Sequence, residues 1–181
     1  MGALQIRQGL LLDGFMVGPC VHRGGMATLW EATHPDHPQP LLLKAPVVSE
    51  GSDPAAIVGF EMEQMILPRL TGPHVPRCIA RGLFSVQPYL VMERIPGPTL
   101  LPRLADLPLP IDQVASLGSR IATALEDLHR QHLVHLDVKP SNLMFRPTGE
   151  AVLIDFGLSY HDQLPDLMGE EFRLPYGTAP Y

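Results

Sequence analysis

The chain has 181 residues, enough for one domain or two small lobes around a real core. Its hydrophobic share of 45% is that of an ordinary globular protein, which speaks against extended disorder. A formal charge of −6, with no run of Lys or Arg, argues against a nucleic-acid partner.

The start, Met1 to Arg7, has no signal-peptide anatomy, and no apolar stretch approaches membrane-spanning length. Ile6 stands where N-myristoylation wants Ser or Thr. From Gly14 to Thr33 the sequence predicts two strands, Phe15-Met16-Val17 and Ala27 to Ala32, around an Arg23-Gly24-Gly25 turn. A glycine turn suits a plain hairpin, and equally a flap whose backbone N–H groups approach phosphates. Cys20 here and Cys78 further on are far apart and read as reduced thiols of a cytoplasmic protein. His34 to Pro40 carries two histidines flanking Asp36, but its prolines and the lack of a further ligand make it a solvated turn.

Leu41 to Ala45 is an apolar strand whose one lysine, Lys44, is by itself an edge cation. Ser52-Asp53-Pro54 starts a helix, with Asp53 as cap and Pro54 in the first turn. Ile57, Phe60, Ile66 and Leu67 recur at helical spacing, predicting a helix over 54–67 that Pro68 ends and from which Glu63 projects. Thr71 to Arg77 is a loop. Cys78 to Phe84 and Pro88 to Glu93 read as antiparallel strands, and Ile95-Pro96-Gly97-Pro98 is the most linker-like stretch. A short helix is expected from Thr99 to Leu107. A core helix of about 20 residues then follows, carrying Val114, Leu117, Ile121, Leu125 and Leu128 on one face. His129 and His132 near its end suit the negative end of the helix dipole.

The richest span runs from His135 to Gly157. Asp137, Lys139 and Asn142 precede a Pro147-Thr148-Gly149 turn, and Asp155 follows the apolar run Ala151-Val152-Leu153-Ile154. Phosphoryl transfer asks for these parts: a carboxylate to orient a hydroxyl, a cation near the moving phosphate, and oxygen ligands for magnesium.

The pattern His135-x-Asp137-x-x-x-x-Asn142, followed by Asp155-Phe156-Gly157, resembles the catalytic core of the protein kinase family, in particular its bacterial Ser/Thr branch. The resemblance implies an α+β, protein-kinase-like fold. After an N-terminal extension (1–13) come an antiparallel five-stranded N-lobe with one helix (14–93), a hinge (94–98) and a partial, mainly helical C-lobe (99–181) that stops early in the substrate-binding segment. It implies ATP and Mg²⁺ as cofactors and a protein substrate with a Ser or Thr hydroxyl. By that resemblance Asp137 accepts the hydroxyl proton, Lys139 offsets charge on the γ-phosphate, and Asn142 and Asp155 hold Mg²⁺. Lys44, paired with Glu63, grounds the α- and β-phosphates. Val21, Gly24 and Leu29, the gatekeeper Met92, the backbone of Glu93 and Ile95, and Met144 line the nucleotide site. His135 is structural, packed with Leu67 behind Phe156.

Four positions depart from the family pattern. His22 and Ala27 stand where glycines are usual, and a Cβ there restricts positive φ. Leu42 replaces the alanine that lies against the adenine ring. Leu136 replaces the arginine that receives an activation-loop phosphate. The residues after Gly157 read as an activation loop, and Gly177-Thr178 resembles the start of the segment that places Thr178 in the substrate groove. The expected function is a Ser/Thr protein kinase, weak or inactive as this chain, whose unfinished C-lobe invites self-association. The rivals are a pseudokinase binding module, favoured by His22, Ala27 and Leu42, and a small-molecule kinase of the aminoglycoside type, opposed by Lys139 and Asp155-Phe156-Gly157.

Overall fold

The computed structural model describes residues 5–47 and 54–171. Strands β1 (Leu11–Leu12), β2 (Phe15–Arg23), β3 (Ala27–His34) and β4 (His37–Pro46) pair antiparallel in succession; β5 (Cys78–Arg81) and β6 (Leu90–Glu93) complete a six-stranded sheet in the order β1-β2-β3-β4-β6-β5. Period-2 alternation divides β4 and β6 between two cores. Leu41, Leu43 and Ala45 of β4 join Phe15, Trp30 and Val91 on one face, whereas Leu42 and Met92 turn to the other, towards α1 (Pro54–Ile66). Helix α1 is buried nearly all round because it lies between this sheet and the second half of the chain. At its end Pro68 tightens Leu67–Arg69 into a 3-10 turn.

Three expectations change. The sheet has six strands where five were expected, because Asp13 (φ 48°) and Gly14 (φ 88°) form a left-handed two-residue turn that folds Leu11–Leu12 back onto β2. Such Asp-Gly turns match the twist of a hairpin, so part of the expected N-terminal extension is sheet; Tyr89 Oη donates to Asp13 Oδ2 at 2.5 Å across it. His34 to Pro40 is not a solvated turn. His34 pairs with His37 across a tight turn, and their half-buried rings pack with Phe15, at centroid separations of 4.6 Å (Phe15–His34) and 5.2 Å (His34–His37). Pro38 and Pro40 are tolerated there because prolines fit strand positions whose N–H is not needed by a neighbour. The second strand of the 78–93 pair is short, starting at Leu90, and the first ends at Arg81.

The second half holds a 3-10 stretch (Leu101–Asp106), the 20-residue α2 (Ile111–Arg130), β7 (Leu133–Val134), the hairpin β8 (Leu143–Phe145) and β9 (Ala151–Leu153), β10 (Tyr160–His161) and α3 (Leu167–Glu171). Helix α2 lies where expected, yet only Ala124 and Leu128 are buried; its N-terminal half is open, with Ile111 82% exposed. Beyond Gly157, β10 pairs with β7 and α3 packs on α1, drawing Leu164, Leu167 and buried Met168 into the core shared by Phe60 and Phe156. The Asp53 cap and the Gly177-Thr178 segment lie outside the described residues. Among the described residues no helix is long and apolar enough to cross a membrane.

Trp30, the chain's one tryptophan, is buried in β3; its Nε1 donates to Thr28 Oγ1 at 2.9 Å and the Arg23 guanidinium lies 5.1 Å from its ring centroid. Arg146, between β8 and β9, fastens three segments. Its Nη1 and Nη2 grip Glu93 at 2.5 and 3.0 Å, Nε donates to Pro73 O at 2.8 Å, and Nη2 donates to Val75 O at 3.1 Å. A two-pronged, partly buried pair of this kind is stronger than an open surface bridge. Arg146→Gln is therefore expected to destabilise the chain by about 1–3 kcal/mol, read from denaturant unfolding. The hydrogen bond from Arg146 holds the Glu93 carboxyl below the usual range, against the opposing effect of burial. A depressed carboxyl contributes stability above its unfolded value of 4.5 and loses it as pH falls through the lower folded value. Unfolding followed from pH 7 to 3 should show a smaller loss in Arg146→Gln than in the wild type.

Candidate active site

A cleft of about 750 Å³ lies between the sheet and the second half of the chain. Its roof is the β2–β3 hairpin, where Val21, Gly24 and Leu29 face the cavity. Met92, Glu93 and Ile95 form its back edge at the end of β6, and Met144 of β8 its floor. Lys44, Glu63, Lys139, Asn142 and Asp155 line its inner end, so twelve of the thirteen expected site residues border one cavity. The thirteenth, Asp137, is bonded to two of them.

Lys44 is at the centre. Alternation along β4 turns it away from the Leu41–Leu43–Ala45 face and into the cleft. Its Nζ lies 2.5 Å from Glu63 Oε2 and 3.0 Å from Asp155 Oδ1. Burial alone would lower the ammonium pKa, but the two carboxylates outweigh it and hold the group above its ordinary value. Lys44 in turn holds the Asp155 carboxyl below its ordinary value. Burial pushes the Glu63 carboxyl up, with the attraction of Lys44 and a hydrogen bond from the Phe156 backbone N–H pulling against it.

A second cluster surrounds Asp137. Lys139 Nζ lies 2.8 Å from Asp137 Oδ2, and Asn142 Nδ2 donates to that oxygen and to the Asp137 carbonyl, both at 3.0 Å. The 3-10 turn Pro140–Asn142 brings Asn142 back to Asp137. His135 sets the loop from beneath: its Nδ1 accepts from Asp137 N at 3.3 Å, so Nε2 carries the proton towards Ile154 O at 3.2 Å. Burial keeps this imidazole below its ordinary pKa, the neutral form that tautomer requires. Its ring lies 5.4 Å from that of Phe156, and Leu67 and Phe156 share one core.

Leu136 (φ 60°) and Asp155 (φ 66°) are both left-handed, a conformation that costs a non-glycine residue about 1–3 kcal/mol. That strain sits at the two carboxylate-bearing loops and nowhere in the roof. Gly24, Gly25, His22 and Ala27 all have ordinary φ, so the expected backbone restriction at His22 and Ala27 does not arise. Both belong to strands, paired with Leu29 and Pro46. Leu42 does line the cleft, across from Met92 in register.

The cavity also borders Phe60 and Ile154, which sequence reasoning did not single out. Phe60 lies one helical step before Glu63 on the same face, and Ile154 abuts Asp155, so both were recoverable from spacing.

The model of the protein kinase domain family matches residues 20–173. Serine/threonine-protein kinase PknK of Mycobacterium tuberculosis is 32% identical over 157 residues, covering 83% of this chain and 14% of that protein. Serine/threonine-protein kinase PknL of Mycobacterium bovis is 29% identical over 154 residues, covering 84% of this chain and 39% of that protein. The crystal structure of the Mycobacterium tuberculosis PknI kinase domain, C20A mutant, superposes with a TM-score of 0.68 at 26% identity, over 85% of this chain and 64% of that one. The chain thus spans well under half the length of these curated relatives. With a family match across most of its length and a kinase-like fold around the cleft, the chain belongs to the protein kinase domain family.

Proposed function

We propose that this chain carries the catalytic core of a Ser/Thr protein kinase that transfers the γ-phosphoryl group of ATP to protein hydroxyls with the help of Mg²⁺, in the cytoplasm. The observation that carries the reading is the double engagement of Lys44, by Glu63 at 2.5 Å and by Asp155 at 3.0 Å, at the end of the cleft that Lys139 and Asn142 also line. The names of the relatives support the Ser/Thr assignment.

The donor set fits a hard cation. Asp155 offers carboxylate oxygen, and Asn142, whose amide nitrogen is committed to Asp137, keeps an amide oxygen that Ser141 Oγ approaches only at 3.5 Å. Bound Mg²⁺ would supply charge neutralisation to the phosphates when Asp155 and Asn142 hold it. Lys44, kept charged and aimed by its two carboxylates, is placed to meet phosphate oxygens. Asp137, with Oδ2 held by Lys139 and Asn142, is fixed in position to orient a hydroxyl and receive its proton. Lys139 faces the cleft from the same loop and offsets negative charge there. Leu136 leaves the loop without the usual phosphate receiver, so the reading includes activity independent of activation-loop phosphorylation.

The open face of α2, together with exposed Val134, Leu136 and Tyr160, supports weak turnover by the isolated chain and self-association through exposed apolar surface. A second reading, a binding module without catalysis, draws on Leu42 over the cleft. A thermal-shift titration separates the two. Mg·ATP at a hundred times its Kd should stabilise the wild type by about 2.7 kcal/mol, and Lys44→Met should abolish that gain. No shift at millimolar nucleotide would favour the binding module. Asp137→Asn is expected to keep Mg·ATP binding but lower phosphoryl transfer to a protein substrate by about 10²–10⁴-fold, measured with labelled ATP.

A further inference from the structure

Helix α1 meets the Asp155-Phe156-Gly157 segment at two points one helical turn apart. At the first, the Phe156 N–H faces the Glu63 carboxylate and favours its charged form. At the second, two glycines touch backbone to backbone. A Cβ built on Gly59 would lie 3.1 Å from Gly157 O and 3.6 Å from Gly157 C, and one built on Gly157 would lie 3.1 Å from Gly59 O. Neither glycine has a left-handed φ, so no backbone conformation demands them. A glycine inside a helix is also a poor choice on propensity grounds. What the pair provides is distance.

The neighbour cannot easily yield. Phe156 is 1% exposed and its ring packs on His135, while Asp155 is tied to Lys44. A methyl group at 59 would therefore act on α1 itself, moving it outward by a few tenths of an ångström. Glu63 lies on the same face one turn along and would go with it. We propose that Gly59 is a positioning residue: its missing side chain lets α1 approach closely enough for Glu63 to reach both Lys44 and the Phe156 amide. It acts through Glu63 and touches no reacting group.

Amide hydrogen exchange of the whole chain tests this, with a nucleotide arm that alone rests on the kinase reading. In Gly59→Ala the Phe156 amide should lose about tenfold in protection, while amides of β4 change less than about twofold. Adding Gly59→Ala to Glu63→Ala, which already lacks the acceptor, should cost no more than about twofold further. Gly118→Ala in α2, where a Cβ meets nothing within 4 Å, is the control for helix glycines and should raise the unfolding midpoint by about 2 °C. Gly157→Ala reaches the same contact from the other side and should reproduce the Phe156 loss, deciding the matter if the first variant fails to fold. Affinity for Mg·ATP should fall in Gly59→Ala and be unaffected by that change in the Glu63→Ala background. Wild-type exchange at Phe156 in Gly59→Ala overturns the proposal, as does an equal loss in the Glu63→Ala background or an even loss across β4. Absence of nucleotide binding in the wild type would sink the kinase reading, and the exchange comparison would still decide the role of Gly59.

Discussion

The Lys44 ammonium is shared by Glu63 of α1 and Asp155 beyond β9, side chains from three elements far apart in sequence. Taking Lys44 and Glu63 out of water is costly, and their mutual attraction, with that of half-exposed Asp155, offsets it. Removing Lys44 leaves Glu63 as an uncompensated buried charge, so the elements that carry the pair are held to one arrangement or lose it together. The left-handed Asp155 fits this view: local strain is tolerated because the ion pair and buried Phe156 over-determine its backbone.

The loop bearing Asp137 is held by different means. Hydrogen bonds from Lys139 and Asn142 and a neutral His135 beneath fix it within the second half of the chain. The cleft therefore has one wall set by charge and another set by local hydrogen bonding. Arg146 joins them at the back, gripping Glu93 at the end of β6 while anchored to the 73–75 loop. A shift of one wall against the other would stretch contacts at the Lys44 end or the Arg146 end.

Local chemistry was legible in the sequence where spacing is short. The Asp137–Asn142 loop and the Asp155-Phe156-Gly157 turn are each patterns of a few residues, and helical spacing places Glu63 on its helix. The cleft position of Lys44 and its pairing with Glu63 come only through the family resemblance those patterns carry. The Asp13-Gly14 turn was equally local and could have shown β1, but the short Leu11–Leu12 run beside it offers little alternation to notice. His34 to Pro40 misled because proline was weighed as a loop former, although alternate prolines fit a strand with one unpaired side. The Gly59–Gly157 contact could not be read in advance. It joins residues nearly a hundred positions apart through absent side chains, and an absent side chain leaves no pattern. The open face of α2 is foreseen only through the partial C-lobe that the resemblance implies, since periodicity records which face is apolar and is silent on what covers it.

Trp30 lies in the strand that carries the roof of the cleft, under the guanidinium of Arg23 at the roof's tip. No second indole competes with it. Its emission is therefore a built-in optical gauge of that hairpin: lifting the tip withdraws a cation from the ring and admits solvent dipoles, altering intensity and wavelength. The chain can report movement of its own flap with no label attached.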